Sequence, residues 1–186
     1  MSLRTQTLGF LSAALLTLGA PAAASAATST ATANVSGGSL SLTTTATPSF
    51  GVTLDGTDQT GTYTVPSTVT DSRGTGAGWN LTLTSTQFST GGITPSTLST
   101  GASSLTGVTN ACVPGTTCTA PTNSVTYPVA VPAATVAPTA VKYFNAATST
   151  GKGKFTNTPS VNVSVPANSD AGTYSSTLTL AAVSGP

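Results

Sequence analysis

Histidine and glutamate are absent from this chain, and its acidic residues number four, all aspartates: Asp55, Asp58, Asp71 and Asp170. Without those two residue types, serine triads, histidine-ligated zinc centres and the commonest general bases are excluded. A glycosidase-type carboxylate pair would have to come from aspartates, and only Asp55 and Asp58 stand close together, inside one DGTD turn that lacks the ligand count of a calcium loop. The sequence therefore predicts a protein that is not an enzyme, with no catalytic residues, no metal and no cofactor.

Charge of either sign is equally scarce. Charged residues make up 5% of the chain, against about a quarter in ordinary domains. Setting Arg4 aside leaves Arg73, Lys142, Lys152 and Lys154 against the four aspartates. This even balance gives no basic patch for nucleic acid or anionic lipid. Disordered chains combine low hydrophobicity with high net charge, whereas here 38% of residues are apolar and fall in alternating runs. A long apolar run occurs once, from Leu8 to Leu18, behind Arg4 and ahead of Ala24-Ser25-Ala26. That order is a secretory signal peptide, residues 1–26, removed after Ala26, and no membrane span is expected once it is gone. Residues 27–38 read as a flexible lead-in and 39–186 as a single domain.

No segment after residue 26 carries helical periodicity. Short alternating runs and turn signals dominate instead, in a Thr-rich composition that suits the pleated, half-buried environment of strands. Expected strands are Ser39–Thr43, Phe50–Leu54, an extended stretch through Tyr63, Val65 and Val69 broken by Pro66, Trp79 to about Phe88, Thr126–Val131, Val141–Phe144, a Val161-Val163-Val165 strand, and a last strand through Leu178 and Leu180 to Ala182. The predicted fold is all-β: an antiparallel β-sandwich with a long Ser/Thr/Gly-rich insertion from Ser89 to Thr122. Gly151-Lys152-Gly153-Lys154 reads as a solvated turn. Cys112 and Cys118 flank Val-Pro-Gly-Thr-Thr within the insertion, and in an exported protein this pair predicts a disulfide. The spacing does not suit a two-thiolate metal or redox site.

The most specific stretch is Asp71–Leu83, DSRGTGAGWNLTL. Gly74, Gly76 and Gly78 recur at every second position, where the backbone can turn with positive φ or approach another segment closely. They form a structural turn rather than a phosphate loop, because no lysine follows in the required spacing and a strand comes next. Trp79, Leu81 and Leu83 then share one face of that strand. Trp79 reads either as a core residue or as a platform for a sugar ring, with Asn80 or Thr82 as hydrogen-bonding neighbours. Asp71 and Arg73 read either as a local pair capping the turn or as one pole of a polar site.

This stretch resembles the tryptophan-x-leucine motif of the WxL-domain family, surface proteins of Gram-positive bacteria, including the aspartate and the Arg-Gly-Thr-Gly before the motif. Near the C-terminus Gly172-Thr173-Tyr174 resembles the entry to the family's second motif, where Leu180 and Ala182 occupy the tryptophan and leucine positions. The resemblance covers Phe50–Phe88 and Asp170–Pro186. It implies export, a β-rich domain and non-covalent association with peptidoglycan, making cell-wall glycan the expected partner and Trp79, Leu81, Asn80, Asp71 and Arg73 the candidate binding residues. With no lipobox cysteine, apolar tail or sortase signal, retention on the cell would rest on binding. The competing expectation is a self-assembling, pilin-like or matrix subunit whose strand edges pair with other surface proteins or with copies of itself.

Overall fold

The alternating runs form ten strands in a computed structural model that describes residues 28–186: β1 (Leu40–Thr43), β2 (Gln59–Thr64), β3 (Ser67–Asp71), β4 (Trp79–Thr86), β5 (Ser103–Cys112), β6 (Val129–Ala130), β7 (Ala133–Ala134), β8 (Val141–Ala146), β9 (Gly153–Val165) and β10 (Leu178–Ser184). No helix occurs among the described residues. The expected signal peptide, residues 1–26, lies outside them. Contacts separate Met1–Asn34 from Val35–Pro186, and everything below concerns the second unit.

Its longest strand shows why the chain becomes a sandwich. Along β9, Phe155, Asn157, Pro159, Val161, Val163 and Val165 are buried, and the residues between them are not. A strict period of two places one row of side chains on the inner face of a sheet. β9 pairs antiparallel with β5 on one side and with both β2 and β3 on the other, and β1 and β6 complete the sheet in the order β1-β3-β9-β5-β6. β2 and β3 keep one register along β9, Thr64 facing Ser160 and Ser67 facing Asn157. Pro66 is the interruption the sequence predicts: Val65 N–H still donates to the Pro159 carbonyl at 3.1 Å, and Pro159 has no N–H to return.

The second sheet is built on β4. β10 lies antiparallel along one edge, while β8 (antiparallel) and the short β7 (parallel) share the other. The inner faces of the two sheets supply one core, including Val69, Trp79, Leu81, Leu83, Leu105, Tyr143, Phe144, Phe155, Val161 and Val163, as the expected sandwich requires.

Four expected elements differ. Phe50–Leu54 is not a strand: Phe50 stacks on Tyr63 with ring centroids 5.9 Å apart and lies where a side chain on Gly61 would sit. The segment therefore covers a face of β2 instead of joining an edge. Residues 126–131 yield only the two-residue β6, bounded by Pro128 and Pro132, which cannot donate to a ladder. The Ser/Thr/Gly-rich stretch is also not irregular throughout, because β5 lies inside it as a ten-residue strand beside β9. A bulge between Leu105 and Gly107 shifts the register, so the inward set passes from the odd positions Ser103 and Leu105 to the even positions Val108, Asn110 and Cys112. This parity change erases the period-two signal in the sequence. The expected Gly151–Lys154 turn is partly strand, since β9 begins at Gly153.

Candidate functional site

The Asp71–Leu83 stretch carries the chain from the end of β3 in one sheet to the start of β4 in the other. Gly74, Gly76 and Gly78 all adopt positive φ, at 72°, 68° and 73°, the region that glycine enters without a Cβ penalty. Gly78 is also confined by its surroundings: a Cβ there would stand 2.5 Å from the Ala146 carbonyl oxygen. Positive φ at all three positions and the crowding at Gly78 account for glycine there.

Arg73 clasps this turn. Its Nε donates to Asp71 Oδ1 and its Nη2 to Asp71 Oδ2, both at 2.9 Å, a bidentate pair. Nη2 also donates to the Gly78 carbonyl at 2.8 Å, and Nη1 reaches Ser184 Oγ at the end of β10 at 2.5 Å. One planar guanidinium thus ties β3, the turn and β10 together. The hydrogen bonds from Arg73, helped by its charge, hold the Asp71 carboxyl below its usual pKa against the opposing effect of burial. The same pairing raises the pKa of Arg73. Asp71 and Arg73 are therefore a local pair, with side chains 3% and 15% exposed.

Trp79 and Leu81 are fully buried. The indole packs against Phe144 and Phe155, with centroid distances of 5.9 and 6.3 Å, and its N–H donates to the Gly151 carbonyl at 2.8 Å. An enclosed ring offers no face to a sugar, so of the two readings of Trp79 the structure selects the core. Asn80 points the other way, half-buried, and donates from Nδ2 to the Gly185 carbonyl at 2.8 Å. Gly185 N–H in turn donates to the Gly78 carbonyl at 3.1 Å. The C-terminal end is thereby fastened over the first motif.

Pairing of β4 with β10 explains the two-motif pattern. Ser184 faces Trp79, Ala182 faces Leu81 and Leu180 faces Leu83, so the two motif positions lie side by side on adjacent strands. Leu180 and Ala182 are half-buried against the core.

At the far end of β5, Cys112 and Cys118 stand within disulfide reach, their Cα atoms 6.0 Å apart. Thr119 N–H donates to the Lys152 carbonyl at 2.8 Å, folding this loop back onto the start of β9. Beside it lies a cleft of about 340 Å³ between β5, residues 120–123 and the rings of Phe144 and Phe155. The sequence pattern did not single out its two amides, Asn110 and Asn123, because the bulge in β5 conceals that Asn110 faces inward. Nor did it single out the buried polar group behind them, in which Tyr143 hydroxyl donates to Asn157 Oδ1 at 3.3 Å.

Comparison with known proteins agrees with this arrangement over nearly the whole chain: the family model of the WxL domain, described as surface cell wall-binding, matches residues 24–186. Neither a curated protein nor a solved structure matches the chain. With the first motif strand in the core, the second paired beside it and the family match spanning both, the chain belongs to the WxL-domain family of cell-wall-binding surface proteins.

Proposed function

We propose that the protein is a non-enzymatic surface protein that holds to the cell wall without a covalent bond, with the glycan of peptidoglycan as its partner. The observation that carries this reading is the family match, which spans both motif strands and the whole sandwich. Trp79 and Leu81 act from inside, fixing β4 against the core, while Asp71, Arg73 and Asn80 are positioning residues that lock the turn and the C-terminus onto the motif. Because charges are few and, with Arg4 set aside, evenly balanced, attraction to the wall is built from neutral contacts. Such contacts are screened little by salt.

The test is co-sedimentation of the purified protein with insoluble peptidoglycan at 0.1 M and 1 M salt. Retention at both is expected, and loss of the protein into the supernatant at low salt overturns the reading. A Trp79→Phe variant that keeps its circular dichroism spectrum is expected to sediment like the wild type, since the indole contacts no ligand. Loss of binding by that folded variant would instead make Trp79 a contact residue.

One observation favours a second reading, assembly with further copies. From Gly107 to Cys112, β5 pairs with β9 on one side and with no strand on the other among the described residues, and open edges accept strands. Sedimentation velocity that shows concentration-dependent growth without peptidoglycan would support it.

A further inference from the structure

We propose that the cleft between β5 and residues 120–123 is a binding site for an acetamido group, the N-acyl substituent of an N-acetylated amino sugar. Asn110 is the starting point. Its Nδ2 is buried and finds no partner among the described residues, and buried polar groups left unpaired are rare and call for an explanation. Directly opposite in register, Asn157 is fully buried and its Nδ2 is also unpartnered among those residues. The inner face of the sheet thus carries two adjacent free amide donors. The other amide in the cleft, Asn123, is fully engaged: its Oδ1 accepts from the backbone N–H groups of Asn145 and Val125 at 3.0 and 3.2 Å, and its Nδ2 donates to the Tyr127 hydroxyl at 3.2 Å. Asn110 is therefore the amide in the cleft whose donor lacks a partner among the described residues.

The walls define the rest of that group. Val108, Pro121, Phe144 and Phe155 are apolar, and no charged side chain lines the cleft. A ligand portion that fits is neutral, has one carbonyl acceptor, and carries a small apolar substituent beside it. An acetamido group meets all three conditions: its carbonyl accepts from Asn110 Nδ2, and its methyl lies against the half-buried side chains of Val108 and Pro121. The volume of about 340 Å³ falls in the range of small-ligand sites and accommodates a sugar ring together with its substituent. An acylated alanine residue has the same amide chemistry. The choice of the sugar as its source rests on the wall-binding reading above.

The experiment is nuclear magnetic resonance titration of the labelled protein with three soluble probes: a β-1,4-linked N-acetylglucosamine trisaccharide, the glucose trisaccharide lacking the acetamido groups, and N-acetyl-alanine methylamide. The expected result is a shift of the Asn110 side-chain amide and the Val108 methyl signals with the first probe and not with the second. Asn110→Ala and Asn110→Leu remove no hydrogen bond to Nδ2, so both are expected to fold, and each is expected to weaken the response about tenfold or more. Equal response to both trisaccharides, no response to the first, or unchanged binding by both variants overturns the proposal. A response to the alanine probe alone overturns the assignment to a sugar. Wall sedimentation without any shift at Asn110 leaves the wall-binding reading standing and removes this one, and the reverse pattern does the opposite.

Discussion

Trp79 is the residue on which the two sheets meet, and it is the chain's single tryptophan. Replacing it with alanine removes its packing on Phe144 and Phe155 and leaves the Gly151 carbonyl without its donor. The expected cost is about 3–5 kcal/mol, read as a lower midpoint in chemical denaturation. Gly151 answers to the same contact from the other side. It has a φ of +67°, and a Cβ there would meet Trp79 Nε1 at 2.7 Å and the side chain of Ala146 as well. Gly151→Ala is accordingly expected to destabilise by about 1–3 kcal/mol through overpacking and backbone strain, measured the same way. Titration gives two further expectations. Asp71 has a folded pKa below its ordinary value, so its contribution to stability is present above the unfolded pKa and is lost as pH falls through the folded one. Asp71→Asn is expected to flatten the acid limb of the stability profile. Burial pushes the Tyr63 phenol from 10.0 up to about 12, so stability declines between those values as pH rises and the unfolded chain ionises first. Tyr63→Phe is expected to lessen that alkaline decline, the remainder coming from Tyr127 and Tyr143, whose phenols burial also raises.

At the scale of elements, β10 shields the edge of β4 along seven register pairs from Leu178–Ser85 to Ser184–Trp79. Deleting residues 178–186 would open the edge of the motif strand, an invitation to intermolecular pairing. The truncated protein is expected to self-associate in sedimentation velocity under conditions where the full chain does not, and an unchanged monomer would show that β10 is not the edge guard. The elements legible in the sequence were β1, β2 and β3 as one stretch broken at Pro66, β4, β8, the Val161–Val165 half of β9, and β10. The first half of β9 was hidden because Asn157 and Pro159 occupy inward positions where a pattern reading looks for apolar residues. β5 was hidden by its bulge, and Phe50–Leu54 looked like a strand because alternation records a buried face without saying whether a neighbouring edge exists to pair with it. The candidate site divides in the same way. The glycine turn, the Asp71–Arg73 pair and the motif strand were readable from local spacing, but the partners that complete the clasp, Ser184 and Gly185, lie more than 100 positions away.

For the whole molecule, the Cys112–Cys118 pair closes a small ring beside the start of β9, with Cys112 opposite Phe155 in register and Cys118 packed against the core. The chain-entropy relation gives such a ring about 2 kcal/mol, which for a domain of this size corresponds to about 4–8 °C in Tm. Reduction is expected to lower the melting temperature by that amount while the β-sheet circular dichroism spectrum persists below the transition. Collapse of the spectrum at room temperature would mean that the ring supports the fold itself. Fold class, the absence of histidine and glutamate chemistry, the motif strand and the cysteine pairing were all present in the chain's order and composition, because each depends on residue identity or on neighbours a few positions apart. Which face of Trp79 is covered, which edge β10 protects and which way Asn110 points depend on strands distant in sequence meeting at a particular register. A single bulge in β5 reverses the side-chain direction beyond it, and that consequence exists only once β5 is seated against β9.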